Sequence, residues 1–138
     1  MKIYIASSFN LIPKIEEVCS LLEGAGHEVL VKWWTRLDLK KKFEVLDPDD
    51  FYAEPECANA YERDFNGVML CDVLLFVADA KPRYYTGANI ELGIALGNSI
   101  RCMSVGSLRN SALYYNVYRA KDMHDVLETL ALCEKFVV

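Results

Sequence analysis

The sequence predicts an α/β fold: a single-domain three-layer sandwich, flavodoxin-like or Rossmann-like, on a parallel sheet of five strands. Three observations carry that prediction. Apolar runs of strand length alternate with segments of helical period, the pattern of successive β-α-β units. The richest run, residues 72–78 (DVLLFVA), is apolar at every position after the first, as a strand covered on both faces must be. The length of 138 residues, with 53% hydrophobic and 25% charged residues, suits one domain, residues 1–138, with a core of its own.

Each element follows from local pattern. Residues 2–6 (KIYIA) form a continuous β-branched and aromatic run, the first strand. Ile12, Ile15, Val18, Cys19 and Leu22 then recur at helical spacing, with Asn10 and Pro13 as start signals and Gly24 and Gly26 as stops. Residues 27–31 (HEVLV) make the second strand and complete a right-handed β-α-β unit. Residues 33–54, with LKKKF and LDPDDF, show turn chemistry and no clean period, so a long loop is expected, with Trp33, Trp34 and Phe51 as core or as a lid's apolar lining. From Pro55 a helix is expected with Ala58, Tyr61, Phe65, Val68 and Met69 on one face, then strand 72–78. The stretch YYTGANIELGIALG reads as a turn and an apolar helix. Residues 100–105 (IRCMSV) and 117–120 supply the fourth and fifth strands, and a helix from Asp122 places Met123, Val126, Leu127, Leu130 and Ala131 inward. The expected strand order is 2-1-3-4-5.

Composition narrows the function. A net charge of −5 gives no support for binding a nucleic-acid polymer, so small molecules or proteins are the expected partners. No apolar run approaches the length needed to cross a bilayer, and residues 1–9 (MKIYIASSF) turn polar too soon for a secretory signal, so no membrane partner and a cytoplasmic address are expected. Five scattered cysteines (Cys19, Cys57, Cys71, Cys102, Cys133) read as small core residues in a reducing compartment. The two histidines, His27 and His124, lie far apart and no CxxC pair exists, so neither a metal site nor a cofactor is expected.

Sheets of this kind bind ligands beyond the carboxyl ends of their strands, beside the point where the strand order reverses. That rule selects Ser7, Ser8 and Phe9 after the first strand, and Asp79 with the YYTG turn after the third. Thr86 is the expected N-cap of the following helix, and Gly87 lets a ligand approach its positive end. Glu91 stands among Ile90, Leu92, Ile94, Ala95 and Leu96, so its carboxylate must be paired, hydrogen-bonded or exposed on a narrow stripe. With Asp64 of RDFNG and Asp79, three carboxylates can converge at one edge, and a carboxylate pair can divide into the nucleophile and the acid of glycosidic cleavage. Tyr4 can orient one of them through its hydroxyl, or simply pack.

The order KIYIASSF, RDFNGV, a strand ending at Asp79, then GANIELGIALG resembles the nucleoside 2-deoxyribosyltransferase family and its relatives that hydrolyse nucleotide N-glycosidic bonds. The resemblance covers nearly the whole chain and rests on D-x-x-G-[I/V] followed at matching distance by G-x-x-x-E-L/I-G. It implies that Glu91 is the nucleophile forming a glycosyl-enzyme intermediate and that Tyr4 hydrogen-bonds it; since partial burial raises a carboxyl pKa, that hydrogen bond is expected to keep Glu91 ionised at neutral pH. It implies that Asp64 contacts the base and delivers its proton, that Ser7, Ser8 and Phe9 line the base or phosphate pocket, and that Asp79 lies among the sugar-site groups. A polar residue given by a neighbouring subunit, Ser111 or Asn110, implies a homo-oligomer with a shared site. The chain departs from the family at Tyr85 and Thr86, where transferases often carry an acid and the hydrolases a phosphate-binding serine. Three functions follow: cleavage or transfer of a (deoxy)ribosyl group of a nucleoside; hydrolysis of a nucleoside monophosphate, with LKKKF and Arg83 as cations for the phosphate; or a nucleotide-binding module without turnover.

Overall fold

The computed structural model describes residues 1–79, 85–106 and 116–136. Five parallel strands, β1 (Lys2–Ala6), β2 (Glu28–Leu30), β3 (Val73–Val77), β4 (Arg101–Val105) and β5 (Tyr118–Ala120), lie in the order β2-β1-β3-β4-β5, as expected. All pairings are parallel, and Tyr4 sits between Leu30 of β2 and Leu74 of β3 in register.

The helices are α1 (Ile12–Gly24), α2 (Leu37–Val45), α3 (Pro48–Ala53), α4 (Pro55–Leu70), α5 (Thr86–Gly97) and α6 (Met123–Lys135). Alternation along the strands divides the core in two. Ile3 and Ile5 of β1 face Ile15, Val18 and Leu22 of α1 and Val126 and Leu130 of α6. Tyr4, Ala6, Leu74 and Phe76 face Val68 of α4 and Ala88, Leu92 and Ala95 of α5. All five residues of β3 are buried, which explains its unbroken apolar run. Each such large side chain removed from water contributes on the order of 1.5–3 kcal/mol before entropy is counted.

The structure corrects three expectations. Residues 33–54 are not a long loop: a 3-10 turn (Trp33–Thr35), α2 and α3 occupy most of them. These helices are too short to display a period, and α2 buries only Leu39. Ring contacts hold the segment instead, with Phe9 against Trp33 (5.2 Å between centroids) and Phe43 (5.8 Å), and Phe43 against Phe51 (5.5 Å). On α4, Tyr61, Phe65 and Met69 are exposed rather than inward, while Gly67 and Val68 meet the sheet. A Cβ on Gly67 would come within 2.6 Å of Val31 Cγ2 and 3.1 Å of the Tyr4 ring, so the missing side chain lets the helix approach on that side. On α6, Val126 and Leu130 are buried as expected, but Ala131 is exposed.

Gly106 closes β4 with φ near +94°, and a Cβ there would fall 1.9 Å from the Ala78 carbonyl oxygen. That oxygen belongs to backbone already tied to β4 through Ala78 N–H to Val105 O (3.0 Å). Gly106→Ala is therefore expected to cost about 3 kcal/mol or more and lower Tm by roughly 10 °C. A thermal melt within a degree or two of the parent would contradict this packing.

Candidate active site

The carboxyl ends of β1 and β3 and the start of α5 meet at the reversal in strand order. Glu91 lies one turn into α5, beside the inward stripe of Ala88, Leu92 and Ala95, and so borders the sheet rather than open solvent. The Tyr4 hydroxyl, on a fully buried residue, donates to Glu91 Oε1 at 2.8 Å across 87 residues of sequence. Burial, then the charges of Glu91 and Asp64, push the Tyr4 pKa far up, so the phenol stays a donor at every accessible pH.

The residue Glu91 keeps some exposure, yet its carboxyl is deep enough that burial pushes the pKa up to about 8. The Tyr4 hydrogen bond opposes that shift and the Asp64 charge adds to it. The expected Tyr4 hydrogen bond is present, but the expectation that it keeps Glu91 ionised at neutral pH is corrected: desolvation outweighs the bond and raises the carboxyl above its usual range. Asp64, on α4, is raised to about 6 by burial, with the Arg63 charge opposing. Asp64 ionises first, and its charge then weighs on Glu91. Arg63 Nε stands 3.9 Å from Asp64 Oδ1, and Arg63 Nε, one terminal guanidinium nitrogen (NH2) and Asp64 Oδ1 are buried with no hydrogen-bond partner among the described residues.

Asp79 lies off the end of β3 and engages Tyr85 twice: its N–H donates to the Tyr85 hydroxyl and that hydroxyl donates to Asp79 Oδ1, both at 3.1 Å. Tyr85, immediately before α5, so brings a carboxylate to the helix opening from the strand end. Thr86 does not cap α5; it is the first helical residue, and Tyr85 occupies the cap position without a side-chain cap hydrogen bond among the described residues. Nothing described lies within 4 Å of where a Cβ on Gly87 would be, so the helix opening is free on that side.

After β1, the Ser7 hydroxyl donates to Val77 O (2.7 Å) and Ser8 Oγ accepts from Asn10 N–H (3.3 Å). Phe9 turns into the aromatic row with Trp33, whose indole N–H donates to Ile5 O (2.8 Å). Lys14 of α1 donates to the Ala78 carbonyl at 2.8 Å, which places an ammonium beside the end of β3. Arg83, Asn110 and Ser111 lie outside the described residues.

A groove of about 450 Å³ runs between α4 and the end of β2, lined by Leu30, Val31, Asn59, Arg63, Asn66 and Gly67 among others. Its lining stops short of Tyr4 and Glu91, but Gly67 rests on the Tyr4 ring and Arg63 adjoins Asp64. Val31, at the rim, has a positive φ of 49°, a strained conformation for a β-branched residue. Sequence reasoning singled out Tyr4, Asp64 and Glu91, and the YYTG turn that contains Tyr85, but not Arg63 or Lys14. A charged residue directly before Asp64 was the available signal for the first.

No family model and no curated protein matches the sequence. Solved structures do match in fold. One is a 2-deoxyribosyltransferase from the psychrotolerant bacterium Bacillus psychrosaccharolyticus, at 17% identity and TM-score 0.69, over 92% of this chain and 90% of that one. Another is the Clostridium botulinum CMP N-glycosidase BcmB, at 18% identity and TM-score 0.56, over 95% of this chain and 99% of that one. The chain has the fold of these proteins, as the sequence resemblance implies.

Proposed function

We propose that the protein cleaves or transfers a (deoxy)ribosyl group at the N-glycosidic bond of a nucleoside or nucleotide. The observation that carries this reading is the 2.8 Å hydrogen bond from a buried, permanently protonated Tyr4 to Glu91. A carboxylate inside an apolar helix, oriented through one oxygen, has its other oxygen left for an electrophile. In the first step Glu91 Oε2 bonds the anomeric carbon as the C1′–N bond breaks, and the bond's electron pair leaves on the base. Asp64, with its raised pKa, supplies the proton the base takes away. In the second step a new base or a water takes the glycosyl group and Glu91 is regenerated. The two fold relatives, one a deoxyribosyltransferase and one an N-glycosidase, support the class of reaction and leave both second steps open.

A nucleoside 5′-monophosphate as substrate is favoured by one observation, the Lys14 ammonium held at the end of β3. Ser7, Ser8 and Phe9 line the same edge, and Asp79 with Tyr85 supplies polar groups for the sugar. Homo-oligomerisation belongs to the same proposal: Tyr61, Phe65 and Met69 expose an apolar stripe on α4 that a second copy of the chain would cover. Light scattering at working concentration should return a mass above that of one chain, and a monomer would remove that part.

A panel of nucleosides and 5′-monophosphates, each with and without a second free base, tests the reading. Base release is expected from at least one, and exchange as well as release if transfer operates. Absence of both from every substrate, with folded protein, would leave a binding module.

A further inference from the structure

We propose that Arg63 is a base-reading and charge-stabilising residue, and that with Asp64 it selects bases carrying a carbonyl oxygen beside a ring nitrogen. The proposal rests on the glycosyl-transfer reading of Glu91 and Asp64 and names the leaving group that reading left open. A buried guanidinium N–H without an acceptor is costly, and two on one residue call for an acceptor that the described residues do not provide. Beside them lies Asp64 Oδ1, also buried and without a hydrogen bond among the described residues, in a loose ion pair at 3.9 Å from Arg63 Nε. Arg63 lines the groove at the end of β2, and the charges of Arg63 and Asp64 both act on Tyr4, the partner of Glu91.

The ligand this array fits has two neighbouring acceptors, one for the guanidinium and one for the proton on Asp64. A 6-oxopurine offers O6 and N7, and cytosine offers O2 and N3. Adenine turns an amino group toward the guanidinium, donor against donor, and is disfavoured. The chemistry has the same preference. When the C1′–N bond breaks, its electron pair spreads from the ring onto the carbonyl oxygen. Arg63 keeps its protons and stabilises that charge, Asp64 transfers one proton to the ring nitrogen, and Glu91 closes the bond to C1′. Leu30 and Val31 give the groove apolar side chains against which a planar base can lie.

The test compares the parent with Arg63→Met, which keeps the side-chain stem, and Arg63→Lys, which keeps the charge without the planar fork. Calorimetric titration uses two matched pairs of free bases: hypoxanthine with adenine, and cytosine with 4-aminopyrimidine, which lacks the carbonyl. Base release is followed from inosine, adenosine and cytidine, their 2′-deoxy forms and their 5′-monophosphates. The parent is expected to bind the oxo member of at least one pair about tenfold tighter or more, and Arg63→Met to erase that preference. Release of the oxo base should slow by about 100-fold in Arg63→Met and by less in Arg63→Lys, with only a few-fold change for any adenine substrate. Turnover that is indifferent to Arg63→Met would overturn this inference and leave the glycosyl-transfer reading standing. A carbonyl preference lost in Arg63→Met, without turnover of any substrate, would retain the base-reading site and sink the catalytic reading. Binding without preference in either pair overturns the inference, and neither binding nor turnover overturns both.

Discussion

Glu91→Gln is expected to lower base release and exchange by about 10⁴-fold or more and, at the same time, to make the protein more stable above neutral pH. The first effect is the loss of the group that forms the glycosyl bond. The second follows from linkage. The Glu91 carboxyl has a pKa near 4.5 when unfolded and about 8 in the fold, because burial disfavours its charge. Between those values the unfolded chain has released the proton that the folded chain keeps, so stability falls as pH rises. By pH 8–9 the accumulated penalty is on the order of 4 kcal/mol. A glutamine avoids it, since its amide oxygen can still accept the Tyr4 hydrogen bond. Tm should rise by roughly 10 °C at pH 8.5 and change little at pH 4.5. A variant less stable than the parent at both values would mean that Glu91 is not a desolvated acid, and activity within a few-fold of the parent would remove it as nucleophile.

Asp64→Asn is expected to slow substrates with poor leaving groups by about 10²- to 10⁴-fold while sparing an activated nucleoside analogue, because the amide can touch the base but cannot protonate it. It should also change the shape of the pH profile. The reactive form of the pair has one proton, on Asp64, with Glu91 ionised. Asp64 titrates near 6 and Glu91 near 8, so singly protonated protein dominates between these values and kcat/KM should be bell-shaped with limbs near both. Most of that proton resides on Glu91 in the free protein, because burial raises Glu91 further than Asp64. In Asp64→Asn only Glu91 titrates: the alkaline limb should vanish, and the acid limb should move up from near 6 toward the Glu91 value, stopping below 8 because the Asp64 charge no longer opposes ionisation. Equal losses on good and poor leaving groups, with the bell unchanged, would reduce Asp64 to a positioning role.

Much of the fold was legible because its signals are local. The apolar run of β3 records burial on both faces, and the alternating elements limit the sheet to few orders, of which 2-1-3-4-5 is the one found. Glu91 was legible for a related reason: a carboxylate amid Ile90, Leu92 and Ile94 contradicts its surroundings, and such contradictions gather at sites. Residues 33–54 were not legible, since helices of nine and six residues with little buried surface leave no period to read. The exposed face of α4 was misread because periodicity gives the width of an apolar stripe but not which neighbour covers it.

The sequence by itself determined the layers, the strand order and three of the residues that meet at the candidate site, through burial patterns that each segment carries alone. Tertiary structure decided what depends on distance between segments. Gly67 lets α4 close on Tyr4 and Val31, and this sets Arg63 on the groove with Asp64 beside it. The Tyr85 hydroxyl, not an acidic neighbour, brings Asp79 to the opening of α5. The balance at Glu91 was decided there too: a hydrogen bond favours the ion and desolvation opposes it, and their sum depends on how completely β1, α4 and α5 exclude water around one carboxyl group.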